Sequence, residues 1–281
     1  MSTVITASVC TGEQLRAVLS QEVKPARVYM PLSSPDCGSM ALDAARAGVP
    51  VFAALPFVLR REKGIAGPEE MLQALRGAAV PFAGALARNI EELACLRAEG
   101  YEGTVEADHT IPLWNGAAYR ETSSLFDEWT LSPELSQYEI PELLQTAGAE
   151  AAERTGIVCY GRVPMMISAN CIRRTDGRCP GRGREPGFTD RIRDRKGRIL
   201  PVQGDCRYCY NVIRNAVPAS LYRYAGLIAS WGTGRMRIDL TTEDAAETAR
   251  ILRLFTEQEE RDGSGELPWE TTTGRFRNGV E

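Results

Sequence analysis

VPFAGALARNIEELACLRAEGYEGTVEADHT, residues 80–110, contains a complete structural unit. An apolar β-rich run (80–86) leads to Asn89, with Glu92 three residues further on, the spacing of a helix N-terminal capping box. Ile90, Leu93 and Leu96 recur at helical spacing, and Gly100, after Arg97 and Glu99, supplies a stop. TVEADHT (104–110) is a second β-rich run, so the stretch reads strand, helix, strand.

The alternation continues on both sides of this unit. Strands are expected at 4–9, 26–32, 49–59, 128–135, 155–163 and 235–240. Most are near-continuously apolar at one end, as parallel strands covered on both faces are. Thr11 with Gln14 repeats the capping-box spacing, and residues 243–258 form a last amphipathic helix. Eight such strands with intervening helices predict an α/β protein, a single (β/α)8 TIM-like barrel domain over residues 1–281. An open doubly wound sheet is the alternative, because periodicity does not distinguish a closed sheet from one with free edges. There is no internal repeat, no GxGxxG after a strand and no Walker motif, which argues against nucleotide binding.

The 281 residues are 43% hydrophobic and 25% charged, with a net charge of −4, ordinary values for a globular protein. No apolar run approaches the roughly 20 residues of a membrane span, and the N-terminus lacks a basic region followed by an apolar stretch, so a cytoplasmic location is expected. In that reducing compartment eight cysteines favour metal binding or chemistry over disulfides. The only histidine is His109, which excludes zinc motifs that need two.

One segment interrupts the pattern. From 167 to 218, between the seventh and eighth strands, the chain is rich in Gly, Arg and Cys and shows little apolar periodicity. It reads as a long irregular insertion at the barrel mouth, where active sites collect. It holds Cys171, Cys179, Cys206 and Cys209 in the pattern C-x7-C-x26-C-x2-C, flanked by Gly177, Gly181, Gly183 and Gly204. Four thiolates serve a tetrahedral zinc or an iron–sulfur cluster, and the spacing leaves both open, with the wide first gap leaning towards a cluster. Four free thiols are the bland alternative. Cys10, Cys95 and Cys159 lie on strand or helix patterns and read as small core residues. Cys37 precedes a helix, where a thiol pKa can be lowered, though packing is the simpler role.

Several stretches resemble peptidase family U32, the collagenase-like proteins. They are YGRVPMM (160–166), Cys171, DRKGRILPV (194–202), Asp205-Cys206 and Asn215 in an expected helix. Upstream, EADHTIPLWNGAA (106–118) and WTLSPELSQYEI (129–140) are similar to family elements. The terminal TTTGRFRNGVE (271–281) is also similar, with Arg275 where histidine is usual. The resemblance covers roughly residues 104–281. It implies a 4Fe–4S cluster on Cys171, Cys179, Cys206 and Cys209, and support of oxygen-independent hydroxylation of an RNA base or an aromatic small molecule. The family name implies a peptidase instead. A structural zinc in an RNA-binding or scaffold protein is the third possibility.

Segment 173–198 carries ten Arg/Lys and four Asp/Glu, a net of +6 against −4 for the whole chain, which leaves −10 elsewhere. This basic loop is the expected contact for transfer or ribosomal RNA. It also reads as a plain solvated loop, and Tyr208 and Tyr210 are its only local stacking candidates. Polar residues at strand ends point to the site face of a barrel: Asp108, His109 and Asn115 after the fifth strand, Ser132 and Glu134 after the sixth, Tyr160 and Arg162 in the seventh. Arg162 is expected to clamp a carboxylate or phosphate, and one of Glu106, Asp108, His109 or Glu134 to move protons, with His109 the easiest at neutral pH; a small-molecule co-substrate is a further expected partner. Ser132 or Ser136 with His109 would be the hydrolytic pairing.

Overall fold

The computed structural model describes residues 3–78, 81–182, 184–256 and 267–280. The expected strand start at 80, the helix end at 257–258, Gly183 and residue 281 lie outside the described residues.

The core is a closed parallel barrel. Its strands are β1 (Val4–Ser8), β2 (Val28–Pro31), β3 (Val51–Ala54), β4 (Gly84–Ala87), β5 (Thr104–Ala107), β6 (Glu128–Thr130) and β7 (Thr155–Gly161). An insertion follows before the last strand, β13 (Arg235–Asp239). β13 pairs in parallel with both β7 and β1, and β6 pairs with β7, so the barrel closes. The open-sheet alternative is thereby set aside. Outside the barrel lie α1 (Gly12–Leu19), α2 (Cys37–Arg46), α3 (Pro68–Arg76), α4 (Ile90–Ala98) and α5 (Gly116–Thr122). The ring continues with α6 (Glu139–Ala147) and the short α7 (Ala149–Glu153). Leu15, Val18, Met71, Leu93, Leu96 and Ile251 pack the helices against Val28, Met30, Ala85 and Val105 on the strands' outer faces.

Local chemistry explains the boundaries. Thr11 accepts from the Gln14 N–H while the Gln14 side chain accepts from the Thr11 N–H, a full capping box. Asn89 accepts from the Glu92 N–H, but the Glu92 carboxylate reaches one residue further, to the Arg88 N–H at 2.7 Å. Gly100 takes a left-handed φ of 64° after the α4 terminus, which a residue with Cβ disfavours.

The barrel interior is not apolar. Glu106 accepts from the hydroxyls of Tyr29 (2.7 Å) and Thr130 (2.6 Å), and Arg235 lies 3.3 Å from Glu128. Arg27 donates to Glu128 at 3.2 Å, and Arg237 donates to Asp108 at 2.7 Å and Asp239 at 3.2 Å. Buried charges of this kind persist only when paired and hydrogen-bonded. Tyr29, Phe52, Ala54 and Leu86 form a small separate apolar cluster.

The segment 167–218, expected to be irregular, is instead folded. β8 (Pro164–Ser168), β9 (Gly187–Arg193), β10 (Ile199–Asp205) and β11 (Tyr210–Arg214) make an antiparallel sheet in the order β8-β11-β10-β9. One turn of helix, α8 (Ile172–Thr175), follows β8. Its period-two signal was hidden because both kinds of position in β9 carry charge: Asp190 is half-buried between exposed Thr189 and Arg191. After β11, a short β12 (Ala219–Ser220) adds antiparallel to β7, and α9 (Ala225–Ser230) precedes β13. α10 (Ala245–Thr256) ends the helix ring. Asn215, expected in a helix, lies just beyond β11, where its N–H donates to the Val163 carbonyl. Among the described residues no helix is long and apolar enough to cross a membrane.

Candidate functional site

The insertion sheet lies over the carboxyl ends of the barrel strands and encloses a cavity of about 450 Å³. Its barrel side is formed by Ser8, Cys10, Leu55, Phe57, Arg88, His109 and Asp239, and its roof by Phe188, Gln203, Gly204, Asp205, Tyr210 and Arg214. The volume is that of an ordinary small-molecule pocket. Phe188 fits only because position 204 is glycine: a Cβ there would sit 1.9 Å from the ring. The Arg173 guanidinium stacks on the same ring at 4.2 Å.

Asp108 organises the floor. Arg88 donates to it at 3.1 Å, Arg237 at 2.7 Å, and the His109 backbone N–H at 2.7 Å. Burial pushes the Asp108 pKa up, but Arg237, His109 and Arg88 outweigh it and hold the carboxylate well below its usual range. Burial lowers the His109 pKa, Asp108 opposes this, and Arg237 reinforces it, so the imidazole is neutral at pH 7. Arg88 also donates to the Leu55 carbonyl and lies 4.0 Å over the Phe57 ring, which fixes its position. In the roof, Gln203 accepts from Arg214 at 2.7 Å and donates to the Thr241 carbonyl, tying the sheet to the barrel. Tyr210 accepts from the Phe57 N–H and donates to Asp205.

Of the three expected catalytic residues, only His109 lines this cavity. Arg162 occupies a neighbouring pocket of about 260 Å³ with Tyr160, Glu243 and Trp269, and donates to Thr242 Oγ1 and to the Asn215 and Ala216 carbonyls. Glu134 is exposed and lines neither pocket; its N–H donates to Ser132 Oγ. Ser136 Oγ accepts from the Glu139 N–H at the start of α6. Glu106 is sealed inside the barrel. Arg88 and Asp239 went unremarked in the sequence, although both sit at strand ends and obey the rule that singled out Asp108. Arg214, Asp205 and Gln203 carry no such signal, since the strands that hold them lack the apolar alternation that marks a sheet.

Sheet topology brings the chain next to Cys171, Cys206 and Cys209 to one end of the insertion. Cys171 follows β8, Cys179 lies between α8 and β9, and Cys206 and Cys209 bracket the β10–β11 turn. β8 ends where β11 begins (Ser168 beside Asn211), and β9 begins where β10 ends (Gly187 beside Asp205). Buried Asn211 fastens Cys171's segment: it accepts from the Ile172 N–H and donates to the Ser168 carbonyl. Cys209 takes a left-handed φ of 56°, and Arg60 donates to the Tyr208 and Cys209 carbonyls. Cys206 is pushed up to about 11, first by burial and then by the Cys171 thiol. Among the described residues no group of three or more Cys, His, Asp or Glu side chains is assembled around a metal position, and Cys179 is exposed. The donor set suits a four-thiolate centre, with three of its members beside one end of the sheet, while the side chains are not drawn in around a metal position.

The other cysteines are less uniform. Cys159 is fully buried. Cys37 is raised to about 11 by burial rather than lowered by its helix. Cys95 is half-buried on α4. Cys10, expected in the core, lies half-buried on the cavity wall. Tyr208 and Tyr210 are buried and offer no stacking face on the outer surface; Tyr210 faces the cavity instead.

No protein-family model matches the chain, and no curated protein does. Solved structures give low similarity. Deoxyribose phosphate aldolase from Aeropyrum pernix is 11% identical over 56% of this chain and 75% of its own, with a TM-score of 0.38. The 3-dehydroquinate dehydratase from Aquifex aeolicus is 10% identical over 91% of this chain and 100% of its own, at 0.42. The Bacillus cereus spore cortex-lytic enzyme SleL is 10% identical over 91% and 75%, at 0.38.

Proposed function

We propose that this chain is an iron–sulfur enzyme of the U32 type, supporting oxygen-independent hydroxylation of an RNA base or an aromatic small molecule. The observation that carries the reading is that the strand ends next to Cys171, Cys206 and Cys209 meet at one end of the insertion sheet, with Cys179 on the loop leading into the same sheet, beside a cavity with fixed cations and a neutral histidine. Those four thiolates would hold a 4Fe–4S cluster, which supplies one-electron chemistry when bound. The remaining work falls to the cavity. Arg88, braced by Asp108, Leu55 and Phe57, presents a fixed positive charge to an anionic group. His109, neutral at pH 7, is free to accept a proton. Phe188, Val212 and Tyr210 supply apolar surface for a flat ring.

Anaerobic purification followed by iron and sulfide analysis tests the centre. Equal amounts of both support the reading; a colourless protein containing only zinc would sink it. Mass spectrometry of nucleosides from a deletion strain tests the reaction, with loss of one hydroxylated nucleoside as the expected result. Peptide cleavage that survives removal of all four cysteines would favour the hydrolase.

A further inference from the structure

The ten cations of segment 173–198 are not equivalent once their partners are known. All four acidic residues of the segment are taken: Asp176 and Asp190 by Arg178, Glu185 by Arg173, and Asp194 by Arg198. Arg182 pairs with Glu62 on the barrel side. Six cations are exposed and have no side-chain partner among the described residues: Arg174 on α8, Arg184 shortly before β9, and the four residues Arg191, Arg193, Arg195 and Lys196.

These four share one structural element. β10 pairs with β11 only from Val202 onward, whereas its pairing with β9 continues through Pro201–Arg191, Leu200–Ile192 and Ile199–Arg193. The β9–β10 hairpin therefore continues three residue pairs past its pairing with β11, and its last two pairs extend beyond the end of β11 as a two-stranded arm. Arg191 and Arg193 point to one face, about 7 Å apart along the strand. Ile192 and Leu200 are half-buried on the other, and Arg195 and Lys196 form the tip. The arm's free end is about 20 Å from the cysteine end of the same strand. A ligand held at the arm tip while also reaching the cysteine end spans about 20 Å, a length a polymer covers readily.

We infer that the β9–β10 arm is a docking element for the phosphodiester backbone of a nucleic acid, with Arg191, Arg193, Arg195 and Lys196 as its phosphate contacts. The inference rests on the proposed RNA substrate for its choice of polyanion, and it assigns binding to the arm rather than to the whole basic segment. Regular cation spacing on a protruding two-stranded ribbon suits a repeating charged chain, and each contact adds salt-dependent affinity.

The test is fluorescence anisotropy with a labelled 30-nucleotide oligouridylate, the same length of oligothymidylate, and phosphatidylserine vesicles as the competing surface. Replacing all four residues with alanine should remove four contacts. At a slope of about 0.7 per contact, that takes a factor of about fifty out of the affinity lost between 50 and 200 mM salt. The matching variant with Arg191, Arg193 and Arg195 changed to Lys should retain binding, which separates charge from folding. Arm-dependent binding of one oligonucleotide alone identifies the polymer and supports the inference. Equal binding by wild type and the alanine variant, no oligonucleotide binding by wild type, or arm-dependent binding to vesicles alone would overturn it. Iron, sulfide and nucleoside analyses do not read the arm's binding, so failure of the arm and failure of the proposed chemistry are distinguishable.

Discussion

The barrel interior and the projecting arm are both rich in arginine, and the same side chain is used in opposite ways. Inside, Arg27, Arg88, Arg235 and Arg237 are wholly or largely buried, and each lies within 4 Å of a carboxylate. On the arm, Arg191, Arg193 and Arg195 are in water and meet none. Burying an unpaired charge costs several kcal/mol, so interior arginines are fixed by their partners. An exposed arginine pays no such penalty and stays available to a ligand. The difference separates charge that builds the site from charge that can recruit to it.

The sharpest attempt to break this contrast is Arg237→Met. It leaves Asp108 and Asp239 without their shared cation and should cost about 3–5 kcal/mol in urea unfolding. A loss below about 1 kcal/mol would mean the interior charges are not coupled. Next in size is Gly204→Ala, which drives a methyl group into the Phe188 ring and should cost about 1–3 kcal/mol while shrinking the cavity. Any small ligand found for the cavity should bind this variant more weakly in calorimetry.

Acidification gives a smaller, graded effect. The folded His109 pKa is lowered below its unfolded value of about 6.5, so the unfolded state binds more protons there. The stability this group contributes is complete above pH 6.5 and is lost as pH falls below it, by at most about 1.4 kcal/mol per pH unit. His109→Gln should flatten that limb between pH 7.5 and 5.5, and an unchanged slope would show that another group carries it. Smallest of all, Arg191→Ala and Arg193→Ala should each alter stability by no more than about 0.5 kcal/mol. A larger loss would show that the arm's charges hold structure.

Much of the barrel was legible because each strand–helix unit announces itself locally. The run at 155–163 contains β7, and Asn89 caps α4 as its spacing required. The insertion was misread for an equally physical reason. Its four strands lie over the mouth with one side wet, so charges such as Asp190 and Arg191 interrupt the apolar rhythm on which strand recognition depends. The candidate site divides in the same way. Asp108 and His109 sit at a strand end, where position alone marks them, whereas Glu134 and Arg162 obey that rule too and yet lie outside the cavity that holds His109.

The order of residues alone determined the succession of strands and helices, the grouping of four cysteines in one segment and that segment's excess of positive charge, because each is a matter of near neighbours along the chain. Closure of the barrel, the pairing of its interior arginines, the roof over the cavity and the freedom of the arm's four cations were decided only by tertiary structure. Each depends on which distant groups come within a few ångströms: β6 beside β7, Arg237 beside Asp108, Phe188 over Gly204.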